Sequence, residues 1–145
     1  MPEERRRAWT IRMGGWMERD RFEELVADAW NEIPSEFRDR IENVELIVED
    51  LPSPDDLAAV GITSPYGLLG LYRGVSLPRR STFYQNVLPD VIVIYRLPIL
   101  RICRNDRDVV RQIRDTVIHE IGHYFGMDEE QVRAAMHLDE PEEQR

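Results

Sequence analysis

Cysteine is nearly absent from this chain of 145 residues: Cys103 stands alone. An intrachain disulfide and a thiolate-rich zinc site are therefore excluded. Positive charge is scarce too, with 19 Lys+Arg against 28 Asp+Glu and a net charge of −9. A phosphate backbone demands clustered positive charge, so no nucleic acid is expected as a partner. Long apolar runs are missing. Runs such as Val91–Tyr95 fall far short of the ~20 residues of a membrane helix, so no membrane partner is expected. No continuous apolar segment follows the charged N-terminus, so no secretory signal is expected and the compartment reads as cytoplasmic. What remains is 42% hydrophobic and 32% charged. That is enough for one folded domain and too little for two ordinary ones.

Residues 1–16 read as an N-terminal extension. Arg5, Arg6 and Arg7 follow two glutamates, the apolar residues keep no period, and Gly14-Gly15 breaks any helix. Residues 17–138 read as the domain, and 139–145 as an acidic tail.

Asp20 and Glu23 have the spacing of a capping box. Phe22, Leu25, Val26, Ala29 and Ile33 then follow one face of a helix, which Pro34 interrupts. Ser35 can cap a short continuation. Val44–Glu49 is short and rich in β-branched residues, which predicts a strand. Ser53-Pro54-Asp55-Asp56 starts a second helix, which Gly61 ends. Leu68–Tyr72 reads as a strand turning at Arg73-Gly74 into Val75–Leu77, and Pro78–Pro89 as an irregular loop. Val91–Tyr95 is the strongest strand, expected to be buried on both faces. A long helix begins near Asn105 or Asp106 with Val110, Ile113, Val117, Ile121 and Tyr124 as its buried stripe. Gly126 stands where a left-handed cap is expected, and Asp128 with Gln131 starts a last short helix.

The chemistry lies in His119-Glu120-Ile121-Gly122-His123. Two histidines four apart project from the same face of a helix, one turn apart. Such a pair can hold one zinc ion. Glu120 is rotated about 100° from His119, near enough to accept a proton from a metal-activated water without being forced to ligate. With three His and 16 Glu in the chain, this pattern arises by chance in roughly 1% of shuffled sequences. Its place on a helix after a strand is the context that zinc chemistry requires.

A catalytic zinc needs a third protein ligand as a rule. The run from His119 through Gly126 to Glu129 resembles the extended metzincin consensus, with Glu129 where that consensus has histidine. Asp128 is the rival ligand, but it also fits a helix cap paired with Gln131. A ligand elsewhere stays open.

From about Met17 to Met136 the chain resembles the small bacterial zincin-like metallopeptidases, or mini-zincins. The resemblance is carried by residues 32–37, 48–54, 68–75, 88–95 and, most specifically, by 116–129, TVIHEIGHYFGMDE. It implies an α+β, minimal zincin-like fold: a short mixed β-sheet, a backing helix and an active-site helix. It also implies that the acidic residue after the glycine completes the ligand set. Two departures from larger metzincins stand out. Only 16 residues follow Glu129, too few for their C-terminal subdomain, and Met136 falls in a predicted helix rather than a methionine turn.

Together these readings predict a zinc metallopeptidase. His119, His123 and Glu129 bind Zn²⁺, Glu120 is the general base, and a peptide or protein is the substrate. The alternative is a non-catalytic metal-binding or protein-interaction module on the same scaffold. Tyr72, Arg80, Tyr95 and His137 are candidates for oxyanion stabilisation. Asp115, one turn before His119, reads as an exposed helix carboxylate, and Cys103 as a packed small hydrophobe. Leu68–Tyr72 is the expected open edge for an extended substrate.

Overall fold

The computed structural model of the chain describes residues 16–39, 41, 44–74 and 90–136, the last stretch without the side chains of Glu129, Ala135 and Met136. The predicted strand at Val75–Leu77, the loop at Pro78–Pro89, nearly all of the N-terminal extension and the acidic tail lie outside the described residues.

Helix α1 spans Arg19–Asn31 and buries Phe22, Leu25, Val26 and Ala29, the spacing that the sequence predicts. Its start differs. The cap position is Glu18 and no side chain caps it, so the Asp20–Glu23 box does not form. Glu23 instead accepts from the Arg19 Nε at 3.1 Å. Asp20 lies in the first turn, where a carboxylate still favours the positive end of the helix. Pro34 cannot continue the helix, and a single turn, α2 (Ser35–Arg38), follows it.

The sheet has three strands, β1 (Val44–Glu49), β2 (Gly70–Arg73) and β3 (Asp90–Tyr95), in the order β1-β3-β2. β1 runs parallel to β3 and β2 antiparallel to it, so the sheet is mixed. β3 is the central strand, and its Ile92, Val93, Ile94 and Tyr95 are at most 1% exposed. Alternate residues face opposite layers. Ile92 and Ile94 join the main core, while Val93 and Tyr95 pack with Leu57 and Leu68 on the other face.

Leu57 belongs to α3 (Pro54–Val60), whose start is as predicted: Ser53 and Asp56 form a capping box, with Pro54 in the first turn. Gly61 closes it with φ of 70°, a left-handed position that glycine adopts without a Cβ clash. A 3₁₀ turn at Pro65–Gly67 delays β2 to Gly70, two residues later than predicted. The ladder reaches further back, since Tyr95 N–H donates to Leu69 O at 3.0 Å.

One helix has no counterpart in the sequence reading. α4 (Arg96–Ile102) follows β3 without a break. Pro98 is its third residue, where a missing N–H leaves no intrahelical bond unmade. The buried Arg96 fixes the junction by donating to Asp50 Oδ1 at 2.9 Å and Met17 O at 2.7 Å. Trp16 adds an indole bond to Leu100 O at 2.9 Å.

α5 (Asp106–Tyr124) starts from Asn105, whose side chain accepts from Asp108 N–H at 2.8 Å. The predicted stripe is buried throughout, and Val109, Ile118 and Glu120 are buried as well. α5 lies between α1 and the sheet, which is why it buries more than one stripe. Burial of Ile113, Ile118 or Ile121, each at most 1% exposed, stabilises by about 1.5–3 kcal/mol. α6 (Glu129–Met136) completes the chain's described part. The architecture is α+β: a small mixed sheet with α1 and α5 on one face and α3 on the other. Among the described residues no helix is long and apolar enough to cross a membrane.

Candidate metal centre

His119, Glu120 and His123 all stand in the C-terminal half of α5. The two imidazole rings meet edge to face, with centroids 4.8 Å apart. Both are partly open to solvent, whereas the Glu120 side chain is only 7% exposed. One ligand atom from each of the three residues lies within 4.8 Å of the others.

Glu120 is the hub. His119 Nδ1 lies 2.9 Å from Oε2, and His123 Nδ1 lies 3.3 Å from Oε1. The backbone N–H of Tyr72, on β2, donates to Oε1 at 2.8 Å. Burial pushes the carboxyl pKa up, but the two imidazoles outweigh it and hold Glu120 below the ordinary value. An ionised carboxylate only accepts, so each facing Nδ1 must carry a hydrogen. In a neutral imidazole held this way the lone pair is on Nε2, the arrangement that carboxylate–histidine pairs impose on metal-binding histidines.

The edge strand reaches Glu120 for a geometric reason. Leu69 O is bonded to Tyr95, and Leu71 and Arg73 share its orientation by alternation. The main chain of Gly70 and Tyr72 therefore faces away from β3. The Tyr72 N–H uses that outward direction to reach α5. Gly70 makes the approach possible, because a Cβ there would meet Thr116 Cγ2 at 2.5 Å and Val93 O at 3.0 Å. The Tyr72 ring lies 6.1 Å from that of Tyr124, and its hydroxyl donates to Asp90 Oδ2 at 2.7 Å. Among the described residues β2 is an edge strand of the sheet, as expected for Leu68–Tyr72, and it reaches the histidine motif through Glu120.

After His123 the chain makes a Schellman turn. Met127 N–H bonds Gly122 O at 2.8 Å, Gly126 N–H bonds His123 O at 3.0 Å, and Gly126 has φ of 74°. Asp128 and Gln131 then cap α6 reciprocally at 2.8 and 2.9 Å, as predicted. Glu129 opens α6, so the turn carries its backbone back beside α5. The side chain of Glu129 lies outside the described residues.

A profile for zincin-like metallopeptidases matches residues 41–137, about two thirds of the chain. This chain belongs to the zincin-like metallopeptidase family. A solved structure titled as a conserved hypothetical protein from Thermus thermophilus is similar as well, at 24% identity and a TM-score of 0.48 over 81% of this chain and 98% of that one. Among curated proteins there is no match. The stretch of this zincin-like domain covered by the family holds the sheet, α5 and the turn into α6. α1, which backs α5, precedes it.

The family implies a metal ion, typically zinc, and the residues present suit one. Two imidazoles beside a buried carboxylate form an all nitrogen-and-oxygen group with ligand atoms within 4.8 Å of one another. The other candidates take different places. The Tyr95 hydroxyl, fully buried, donates to Asp56 at 2.8 Å on the far side of the sheet, which removes it from the oxyanion role. Arg80 and His137 lie outside the described residues. Asp115 accepts from Arg114 at 3.2 Å. Cys103 is buried, and burial pushes its thiol up to about 11. Sequence reasoning missed the Tyr72 backbone as a partner of Glu120. A backbone donor leaves no residue-type signal, and the glycine at position 70 was its one visible trace.

Proposed function

We propose that this domain is a zinc-dependent peptide hydrolase. The observation that carries the reading is the buried Glu120 carboxylate set between two histidines on one helix and the main chain of the edge strand β2. His119 and His123 would hold the zinc. Glu129 is the third ligand, a role favoured by the commitment of Asp128 to its cap. Bound zinc supplies Lewis acidity that makes a water nucleophilic near neutral pH. Glu120 receives the proton on its carboxylate and returns it to the leaving amine. Its lowered pKa keeps it deprotonated at neutral pH, and the Tyr72 N–H holds Oε1 beside His123 while Oε2 faces His119.

An extended peptide is the substrate class that an open strand edge favours. Outward main-chain groups of β2, including those of Gly70, can pair with it. The Tyr72 N–H is already engaged with Glu120 and belongs to the catalytic carboxylate rather than to the substrate ladder. The lone buried thiol of Cys103 suits the reducing cytoplasm as the compartment.

The test is elemental analysis of the full chain, purified without chelators or a histidine tag, followed by turnover of a mixed peptide library. About one zinc per chain with cleavage stopped by Glu120→Gln is the expected result. One zinc with no cleavage of any peptide would favour the non-catalytic module. No bound metal would end the proposal.

A further inference from the structure

We propose that Arg73, Asp56 and Tyr95 form a positioning clamp for Glu120. From the far face of the sheet they fix the edge strand β2, and through it the Tyr72 N–H that aims the carboxylate. The inference rests on the hydrolase reading and adds residues that serve the site without touching it.

The clamp converges on one carboxylate oxygen. Asp56 Oδ2 accepts from Arg73 Nη2 at 2.6 Å, from the Tyr95 hydroxyl at 2.8 Å and from Ser53 N–H at 3.5 Å. Arg73 also reaches Glu49 Oε1 at 3.4 Å. The cluster therefore joins β1, β2, β3 and the start of α3. Asp56 is 8% exposed and Tyr95 fully buried, so the Tyr95–Asp56 bond is made away from competing water, while Arg73, its side chain 38% exposed, closes the cluster from its outer side.

β2 needs such an anchor. It has four residues and, among the described residues, is bonded to a neighbouring strand on one side only, the condition under which edges fray. Adjacent strand residues point to opposite faces, so Arg73 grips the far side back to back with Tyr72. Any slip of β2 carries the Tyr72 N–H away from Glu120 Oε1. That N–H reaches Glu120 from outside α5, so its position depends on the sheet and not on the helix.

The test uses the zinc-loaded full chain and the zinc-free chain, with amide exchange and chemical shifts read by NMR. Arg73→Met keeps the aliphatic stem and removes the bonds. It should speed exchange of the Tyr72 amide roughly tenfold and move its resonance, while β3 amides keep their protection. Arg73→Lys should recover part of the loss. Glu120→Gln should disturb the same Tyr72 amide, and adding Arg73→Met to it should do less than in the native background. Where peptide turnover is measurable, Arg73→Met should lower kcat about tenfold with KM nearly unchanged and zinc still bound. A Tyr72 amide indifferent to Arg73→Met, or an effect of equal size with and without Glu120, would overturn the clamp. If Arg73→Met fails to fold, Arg73→Lys carries the same readout. A native chain without turnover counts against the hydrolase reading alone, because the Tyr72 coupling is measured without substrate.

Discussion

Gly122 and Val132 stand so close that a Cβ on Gly122 would run into the Val132 Cγ2. This is where α6 seats on α5, and Val132 is 1% exposed there. The glycine inside the histidine motif is therefore a packing requirement of the following helix. Gly122→Ala should cost about 1–3 kcal/mol through overpacking. It should also weaken zinc binding, because α6 begins with Glu129 and must move to relieve the clash. Urea denaturation and zinc competition measure the two effects. Lost stability with unchanged zinc affinity would argue that Glu129 is not a ligand.

Removing each proposed ligand separates the roles. His119→Ala should lose most of the bound zinc, and Glu129→Gln should weaken it. Glu120→Gln should retain the metal and lower turnover by about 10²–10⁴, the usual contribution of a general base. Metal content and peptide cleavage on the same preparations check this. Zinc lost from Glu120→Gln but kept fully by Glu129→Gln would reverse the assignment.

Local signals were readable wherever one physical cause dominated. β1, the α3 capping box, the Gly61 stop, the Asn105 start and the Asp128–Gln131 cap each follow from side chains acting within a few residues. Asp20–Glu23 has the same spacing yet forms no box, because Arg19 captures Glu23. α4 was hidden by Pro98, which reads as a breaker until its place in the first turn is known. The candidate ligands followed from spacing on a helix. Their surroundings did not, since the Tyr72 N–H meets Glu120 across 48 residues of sequence and Asp56 meets Tyr95 across 39. Asp56 reads as the acidic residue three after the Ser53 cap and closes that capping box, but the further bonds to its carboxylate are tertiary.

Cys103 should be inert in the folded chain. Burial and, to a lesser degree, Asp108 raise its thiol to about 11. At pH 8 only roughly one part in a thousand is thiolate, the reactive form. Reaction with a disulfide reagent should be several hundredfold slower than in urea, on the order set by the two thiolate fractions. Equal rates in both states would mean that the α4–α5 junction opens readily.

The Asp56–Tyr95 pair should set stability at both ends of the pH scale. Burial alone would raise the Asp56 pKa, but bonds from Tyr95, Arg73 and Ser53 outweigh it and leave the carboxyl below its ordinary value. A depressed acid stabilises the fold above its unfolded pKa of about 3.9. That contribution is lost as the pH falls below about 4 and through the folded value. Burial first, then Asp56, raises the Tyr95 phenol well above the usual range. A raised pKa means that the folded state holds its proton where the unfolded chain, near 10, has released it. Stability from Tyr95 is therefore complete below about pH 10 and declines above it. Denaturation midpoints across the pH range should fall at both extremes. Asp56→Asn should flatten the acid limb, and Tyr95→Phe the alkaline one, each at some cost in stability at neutral pH. Acid and alkaline limbs as steep as in the native chain would show that other groups control them. A phenol absorbance change by Tyr95 before unfolding would contradict its burial directly.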